Sequence, residues 1–315
     1  MIITGDNSAG IRFPQHFLRQ HFEMKDLGIL SYFLRLEVTS SSDGYYLSQA
    51  KYASDLLSKA GITDNKTVST PLEYNAKLTP LDNEPIFDAT RYRQLVGSLI
   101  YLTITHPDIS HAMGMVRKVM NAPHSVHYDA VLRILQYVNS KLYHGLHYSS
   151  RSSLEFHAYS DANWAGDLTD RCSIIGLCFL LGTSLVLWRS KKQDVISHSS
   201  IEAEYCALTD TTYELVWFRW LLADMDAPQP TATSLYCDNC SAIYIAHNDV
   251  FHERTKHIEI DCHITRQHLK KRNLKLFSIS SADQPADIFT KTHSPGRLRD
   301  LISKLPLASS LPPRV

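Results

Sequence analysis

The chain has 315 residues, a formal net charge of zero at pH 7, 44% hydrophobic residues and 20% charged residues. This length allows two domains with cores of their own, and the composition is typical of a soluble globular protein. The zero net charge excludes a field that attracts nucleic acid over the whole molecule, so any basic surface has to be local. No apolar run approaches the ~18 residues of a transmembrane helix. Because the start is not typical of a signal peptide either, we expect an intracellular protein without a secretion signal or membrane contact.

The first 70 residues predict a small α+β unit. MIITG is typical of a strand, and FPQHFLRQHFEM is typical of a helix. FLRLEVT and GYYLSQ, separated by SSSDG, predict a β-hairpin with polar turn chemistry. A helix from about Lys51 is expected to end at Ala60–Gly61, which is a usual helix C-terminal signal.

The middle of the chain predicts a helical bundle. Residues 64–87 are polar and contain prolines, which is typical of a linker or an extended crossing segment. Three helical patterns then extend to about residue 141, and Asp88 and Asp108 are expected to cap the first two. This part contains no acid cluster.

From about residue 144 the pattern becomes β again. Four strand-like runs, rich in β-formers and broken by polar or glycine turns, continue to Ser190. A long helix follows over about 200–224, and strands and helices alternate after it up to a last helix from Gln284. This order predicts a mixed sheet covered by helices.

Four carboxylates lie in local sequence patterns that are each suited to place an acid at a site: Asp161, Glu204, Asp238 and Asp287. Period-two alternation places Asp161 on the face of its strand that looks away from the core, toward solvent or a site. Glu204 falls on the apolar stripe of its helix, whereas Glu202 points away from that stripe. A carboxylate on an apolar stripe needs a partner, and a cation is a good one.

Each of these acids also has an ordinary structural interpretation. Asp161 could end a solvated strand, and Glu204 could pair with a base at the edge of its stripe. Asp238 could cap the next helix, and Asp287 could be stabilised by a helix dipole. Acids that converge are costly unless they hold metal cations, so the four together indicate a metal-dependent phosphodiester hydrolase.

Six cysteines, mostly inside apolar runs, suit buried thiols better than a disulfide framework. Cys237 and Cys240 form a CxxC pair, and Cys262 and His263 follow, which leaves a zinc-binding module open as an alternative. The structural interpretation is favoured, because Cys237 belongs to a strand-like run and Cys240 to a helix.

The motifs YSDANWAG, IEAEYCAL, YCDNCSAIYI and QPADIFTK resemble the acid motifs of the ribonuclease H domain in Pol polyproteins of copia-type LTR retrotransposons. SHSSIEAEY, ERTKHIEIDCHI and LVGSLIYLTITHPDISHAM are similar to the family too, and the resemblance covers residues 1–293. It implies the end of a reverse-transcriptase palm over 1–70 and a helical thumb or connection over 71–143. A ribonuclease H-like domain, with a mixed five-stranded sheet flanked by helices, is implied over 144–293, and 294–315 are a C-terminal tail.

The resemblance implies hydrolysis of the RNA strand of an RNA·DNA hybrid with two Mg²⁺ ions, for which Mn²⁺ can substitute. Asp161 and Asp238 are expected to be shared by both ions, with Glu204 on one ion and Asp287 on the other. No small-molecule cofactor is implied, and the expected location is a cytoplasmic particle or the nucleus. The alternative is a catalytically silent relic that folds and at most binds nucleic acid.

This sequence departs from the family pattern at three points. The polymerase motif YVDD lies directly before MIITG in the family, so we expect no DNA synthesis by this chain alone and expect the N-terminal reverse-transcriptase portion as a partner. His106 stands where the family commonly has arginine. No histidine lies between His268 and Asp287, where many cellular ribonucleases H carry one; His263 and His268 are the nearest, and surface positions are favoured for both.

Basic and polar side chains predict the nucleic-acid surface. Asn239 is a candidate for a hydrogen bond to a 2′-hydroxyl, with simple helix capping as the alternative. Trp188, Trp217 and Trp220 are expected in the core rather than as stacking platforms. The candidates for phosphate contacts, with a solvated face as the alternative, are Arg189, Lys191, Lys192, Arg254, Lys256, Lys270, Lys271, Arg272 and Lys275.

Overall fold

A computed structural model of the chain describes residues 2–5, 7–62, 66–79, 84–248 and 258–309. The α-helices are α1 (Ser8–His21), α2 (Ala50–Ala60), α3 (Ala89–Leu102), α4 (Ser110–Lys118), α5 (Ser125–Asn139), α6 (Ser200–Asp224), α7 (Cys240–His247), α8 (Glu259–Lys270) and α9 (Pro295–Lys304). The strands are β1 (Tyr32–Phe33), β2 (Leu36–Ser41), β3 (Gly44–Ser48), β4 (His144–Ser149), β5 (Phe156–Asn163), β6 (Ile174–Leu181), β7 (Ser184–Lys192), β8 (Thr233–Cys237), β9 (Leu274–Ser278) and β10 (Leu307–Ser309). Two 3₁₀ helices, at Pro107–Ile109 and Pro285–Phe289, are called the central and the C-terminal 3₁₀ helix.

The first sheet is antiparallel and has the strand order β1-β2-β3-β4-β10. The predicted hairpin is confirmed as β2 and β3. Gly44 at its turn has φ +145°, and a Cβ there would lie 2.0 Å from the carbonyl oxygen of Tyr148, so the position requires glycine. The predicted end of α2 is also confirmed, because Gly61 is left-handed with φ +78°. The predicted N-terminal strand is wrong, since residues 2–5 are not in a strand.

Strand pairing in the first sheet does not follow the boundary predicted at residue 144. β4 pairs with β3, so that His147 lies opposite Tyr46, and not with the strands that follow it in the chain. β10 pairs with the other edge of β4, where Leu307 lies opposite Leu146. The described part of the segment predicted as a tail is therefore a helix and a strand of this sheet. Short strands of similar composition do not reveal their partner, because pairing depends on distant chain segments.

The helices α3, α4 and α5 form the predicted helical part. Asp88 caps α3 as predicted, because its side chain accepts the N–H of Arg91 at 2.8 Å. The predicted cap at Asp108 is wrong. This carboxylate is buried and accepts hydrogen bonds from the Tyr137 hydroxyl at 2.6 Å and from Lys141 Nζ at 3.4 Å.

The second sheet has the strand order β7-β6-β5-β8-β9. β5, β6 and β7 are antiparallel, whereas β8 runs parallel to both β5 and β9. This arrangement confirms the predicted mixed five-stranded sheet flanked by helices, and the chain as a whole combines α+β and α/β parts. In the described part of the chain, no helix is both long and apolar enough to cross a membrane.

Two apolar cores cover the two faces of the second sheet. The first core joins α2 to α5 with the C-terminal 3₁₀ helix and α9, and it includes Phe289 and Leu301. The second core lies between the sheet and α6, α7 and α8, and it includes Phe156 and Leu208. Since both faces of β5 are covered, Asp161 is only 3% exposed, and a solvated strand end is excluded.

The three tryptophans differ in burial. Trp188 packs against the first core, as predicted, and its indole N–H donates to the carbonyl of Thr103 at 3.2 Å. The core prediction is wrong for Trp217 and Trp220, which are 51% and 67% exposed on the outer face of α6. Apolar residues occur on both faces of α6, so the apolar character of these two tryptophans did not show that they lie on its outer face.

Candidate active site

The four predicted acids lie together at one end of the second sheet. Asp161 belongs to β5, and Glu204 belongs to the second turn of α6. Asp238 directly follows β8, and Asp287 lies in the C-terminal 3₁₀ helix. The structure therefore brings the four side chains together from four separate elements, while their catalytic and metal-binding roles stay predictions.

Strand register explains why two of the acids are neighbours. β5 and β8 are parallel, and Ser160 lies opposite Cys237 in their pairing. The next residue in each chain is an acid, Asp161 in one and Asp238 in the other. Parallel strands end at the same sheet edge, so both carboxylates are delivered to one place.

Glu204 and Asp238 form one side of the acid cluster, and neutral groups surround them. One oxygen of each carboxylate and the sulfur of Cys237 lie within 4.8 Å of one another. The Cys237 thiol contacts Glu204 Oε2 at 3.7 Å, and the Ser281 hydroxyl donates to Asp238 Oδ2 at 2.6 Å. The backbone N–H of Ala162 also donates to Glu204. No charged partner is among these described contacts of the two carboxylates.

Asp161 and Asp287 form the other side, where two cations are present. The Thr290 hydroxyl donates to Asp161 Oδ2 at 2.5 Å. Lys291 Nζ contacts Asp287 Oδ1, and Arg297 Nη2 donates to Asp287 Oδ2 at 3.1 Å. Both oxygens of Asp287 are therefore bound by positively charged groups.

Burial and like charge raise the pKa of two of the acids. Burial, followed by Asp161 and Asp238, raises the pKa of Glu204 to about 9. Burial and Asp287 raise the pKa of Asp161 to about 7, although Lys291 acts in the opposite direction. These shifts mean that the surrounding protein does not fully compensate the negative charge at Asp161 and Glu204. Carboxylate oxygens are the ligands that Mg²⁺ and Mn²⁺ prefer, so the residues fit a divalent ion of this class.

Glu202 has a structural role and does not join the cluster. It is buried, and its carboxylate accepts the backbone N–H of His198 at 2.7 Å. The Ser199 hydroxyl accepts the backbone N–H of Glu202 at 3.2 Å and so caps α6, while the Glu202 carboxylate holds the residue before this cap. The helix phase predicted for Glu202 and Glu204 is therefore observed.

The sequence left open whether Asp238 or Asn239 caps the helix after β8, and the structure decides between them. Asn239 caps α7, because its side chain accepts the N–H of Ala242 at 3.0 Å. Asp238 does not cap this helix and points to Ser281 instead. The capping interpretation is excluded for Asp238 and observed for Asn239, whose contact with a 2′-hydroxyl stays a prediction.

Four functional candidates near Asp287 were missed by sequence reasoning: Thr290, Lys291, His293 and Arg297. His293 is buried, and its Nε2 lies 3.0 Å from the carbonyl oxygen of Asp287. The sequence signal is the segment TKTHSPGR, whose first two residues end the last acid motif, whereas many cellular ribonucleases H carry their histidine before the corresponding acid. As favoured, His263 is exposed; His268 is half-buried and contacts Asn273 at the end of α8.

The six cysteines are all described and free, as predicted. Glu204, Cys237 and Asp238 are close enough together to bind one metal ion, and this set of possible ligands contains a single thiol. Cys240 is exposed at the start of α7, and Cys262 is buried in the second core. The described residues therefore show no zinc site that joins the CxxC pair to Cys262 and His263.

A groove of about 830 Å³, called the α4 groove, begins at Lys291, which contacts Asp287, and lies between α4 and the ends of β6 and β7. Its walls are joined where Lys118 Nζ contacts Asp167 Oδ2 at 2.6 Å, and Lys192 contacts the same oxygen at 3.2 Å. Asp167 is the one acid among the described residues that line it. The cations that line it are Lys77, Arg117, Lys118, Lys191, Lys192 and Lys291.

The predicted phosphate contacts are distributed over three places. Lys191 and Lys192 line the α4 groove. Arg189 instead pairs with Glu214 of α6 at 2.6 Å. A second groove, of about 910 Å³ and called the α8 groove, is lined by Lys270, Arg272 and Lys275 and adjoins Lys271. Arg254 and Lys256 lie outside the described residues.

Comparisons of the sequence with known families give matches along most of the chain. The family described as Reverse transcriptase (RNA-dependent DNA polymerase) matches residues 1–74. The Retrovirus-related Pol polyprotein from transposon RE2 of Arabidopsis thaliana is 38% identical over 291 residues, which cover 92% of this chain and 20% of the relative. An uncharacterized mitochondrial protein of the same plant is 37% identical over 217 residues, which cover 69% of this chain and 90% of the relative. The chain thus spans about a fifth of the Pol polyprotein it matches.

One match among solved structures is LC11-RNase H1 in complex with an RNA/DNA hybrid. The two are 14% identical with a TM-score of 0.33, and the match covers 43% of this chain and 94% of that chain.

Proposed function

The chain belongs to the retrovirus-related Pol polyprotein family of copia-type transposons, and we propose that it hydrolyses the RNA strand of RNA·DNA hybrids with divalent metal ions. The observation that carries this proposal is the proximity of Asp161, Glu204, Asp238 and Asp287, which come from separate parts of the chain and interact with one another electrostatically. Acids at this density, two of them with a raised pKa, are what a cation-dependent phosphodiester hydrolase requires.

Two metal positions follow from the acids. Glu204, with Asp238 and Asp161, would hold one Mg²⁺ or Mn²⁺ ion, and Asp287, with Asp161 and Asp238, would hold the other. When bound, such ions supply an activated water and stabilise the leaving 3′-oxygen of an in-line displacement.

The protein itself positions the acids before any ion is present. The Thr290 hydroxyl orients Asp161, the Ser281 hydroxyl orients Asp238, and the backbone N–H of Ala162 orients Glu204. Gln284 fixes the segment before the C-terminal 3₁₀ helix, because its amide donates to the carbonyl of Ser160 at 2.9 Å. Ligands held in this way lose little freedom when a cation binds, which favours affinity and a defined geometry.

The α4 groove is proposed to hold the backbone of the hybrid. It starts at Lys291, beside Asp287, and six cations line it. Lys118 and Lys192 contact Asp167, and Lys191 contacts Asp210, so part of this positive charge is already paired. Contacts of this kind bind phosphates without reading sequence, and discrimination of RNA from DNA would come from 2′-hydroxyls. The reverse-transcriptase portion of a Pol polyprotein is the proposed protein partner, since residues 1–74 match that family. The free cysteines support the proposed location inside the cell.

The test is cleavage of a labelled RNA·DNA hybrid by the purified protein with Mg²⁺ or Mn²⁺. We expect activity that EDTA abolishes and that Asp161→Asn lowers by at least about 10³-fold, because a shared ligand is lost. Hybrid binding by Asp161→Asn is the control for folding. Cleavage that survives EDTA or Asp161→Asn contradicts the mechanism. Binding without cleavage in the wild-type protein favours the silent relic.

A further inference from the structure

We propose that Lys291 is a built-in counter-cation that closes the second metal position, so that the protein without substrate takes up one divalent ion instead of two. This inference rests on the proposed metal-dependent function, and it concerns the order in which the ions bind. Lys291 lies four residues after Asp287, and its ammonium group contacts Asp287 Oδ1.

The two sides of the acid cluster differ in charge. Glu204 and Asp238 receive their described contacts from neutral donors, namely the Cys237 thiol, the Ser281 hydroxyl and a backbone N–H. These neutral donors bring no positive charge, and no cation is among the described contacts of the two side chains, so this side is open to a divalent ion.

The other side already contains the charge that an ion would bring. Asp287 is 5% exposed in its side chain, and both of its oxygens are engaged, one by Lys291 and the other by Arg297. Lys291 also interacts electrostatically with Asp161. A second ion therefore has to compete with this ammonium group for Asp161 and Asp287.

Lys291, and not Arg297, is the group that can move away. Arg297 is held by two more hydrogen bonds of 2.6 Å, from Nη1 to the carbonyl of Ala282 and from Nη2 to the carbonyl of Ser281. The Lys291 side chain is 44% exposed and lines the α4 groove, whereas that of Arg297 is 26% exposed. A lysine on a flexible four-carbon stem can turn from a carboxylate to a phosphate without a backbone change. Substrate phosphate in the groove would thus release Asp287 for the second ion.

The experiment counts Mn²⁺ ions by isothermal titration and by electron paramagnetic resonance of free Mn²⁺, without nucleic acid. For the wild-type protein we expect one site in the micromolar to low millimolar range. For Lys291→Met, which keeps length and removes charge, we expect a second site that is at least about tenfold tighter than any second site of the wild type. Lys291→Arg keeps a cation and should behave as the wild type.

Lys304→Met is the matched control. Lys304 contacts the carbonyl of Ala282 and Asp283 near the same segment, but not Asp287, so its loss should leave the ion count unchanged. Two sites of similar affinity in the wild-type protein, or an unchanged count in a folded Lys291→Met, overturn the inference. If Lys291→Met does not fold, the wild-type count and Lys291→Arg still decide. Failure of hybrid cleavage would reject the proposed function while leaving this ion count intact.

Discussion

Glu202 and Glu204 are two residues apart on α6 and have different surroundings. Glu202 accepts the backbone N–H of His198 at the start of the helix. Glu204 faces Cys237, and its carboxylate lies beside that of Asp238. The same side-chain type is therefore a helix cap at one position and a candidate metal ligand at the other, because about 200° of helical rotation separates them.

These two glutamates give the first prediction. We expect Glu204→Gln to lower hybrid cleavage by at least about 10²-fold, because an amide is a much weaker ligand for a hard cation than a carboxylate. Glu202→Gln should keep activity within about threefold and cost about 0.5–1 kcal/mol of stability, because the amide oxygen still accepts a hydrogen bond. Cleavage rates and chemical unfolding of both variants check this. Loss of activity in Glu202→Gln alone would show that Glu202, and not Glu204, is the catalytic acid.

The raised pKa values of Asp161 and Glu204 give a prediction for the metal-free protein. Their folded pKa values, about 7 and about 9, exceed the unfolded ones, near 4. The folded state therefore keeps protons that the unfolded state has released. The contribution of these acids to stability is full below about pH 4 and is lost as pH rises through about 7 and then about 9.

We expect Asp161→Asn to stabilise the metal-free protein at pH 8 by an amount on the order of 1–3 kcal/mol, and to have no such effect at pH 4. Urea unfolding with EDTA at the two pH values measures this difference. Mg²⁺ should stabilise the wild-type protein at pH 8 and leave the variant nearly unchanged. An equal effect of the substitution at both pH values would show that ionisation of Asp161 does not lower the stability of the folded metal-free protein.

At the scale of elements, α9 links the acid cluster to the rest of the molecule. It supplies Arg297 to Asp287 and buries Leu298 and Leu301 in the first core. β10, which follows α9, completes the first sheet beside β4. The C-terminal segment is therefore part of both the site and the sheet.

We expect Leu301→Ala to cost about 2–4 kcal/mol, because the side chain is fully buried and its removal leaves a cavity. Leu154→Ala is the control, since Leu154 is 59% exposed, and it should cost less than about 0.5 kcal/mol. Thermal or chemical unfolding of the two variants makes the comparison. Similar stabilities would mean that α9 is not docked as described.

At the scale of the whole molecule, the α4 groove depends on both parts of the chain. One wall comes from residues 74–78 and α4, and the other comes from the second sheet. Two contacts between described residues join the walls. Lys118 pairs with Asp167, and the backbone N–H of Asn75 donates to the Thr292 hydroxyl at 3.1 Å. Helices that precede the acid-bearing sheet thus contribute to the surface proposed for the substrate.

We expect the double variant Lys77→Gln, Arg117→Gln to weaken hybrid binding by roughly tenfold. The slope of log affinity against log salt should fall by roughly 1 for each phosphate that the variant no longer neutralises. Binding is measured in EDTA, so that no cleavage occurs.

The matched control for this double variant is Arg272→Gln, Lys275→Gln in the α8 groove. That groove adjoins Ala232 before β8, whereas Asp238 follows the other end of the strand. The control pair should therefore leave hybrid affinity nearly unchanged. A larger effect of the control pair would place the hybrid on the α8 groove instead.

The amino-acid sequence by itself determined the mixed sheet, the helical middle part, the α2 terminus and the identity of the four acids. These features follow from local periodicity, turn residues and motifs, which are written in consecutive residues. The phase of α6 was also local, so Glu204 could be separated from Glu202. The same local pattern wrongly predicted Trp217 and Trp220 in the core, because periodicity identifies apolar positions but does not show which other element covers them.

Only the tertiary structure decided which elements meet. β4 and β10 joined the first sheet through pairing between distant parts of the chain, and Asp161 was buried because the first core covers the face of β5 that carries it. The Lys291 and Arg297 contacts with Asp287 depend on the C-terminal 3₁₀ helix and on the docking of α9. Such contacts are set by packing between distant segments, so no local pattern could have shown that one side of the acid cluster already holds cations.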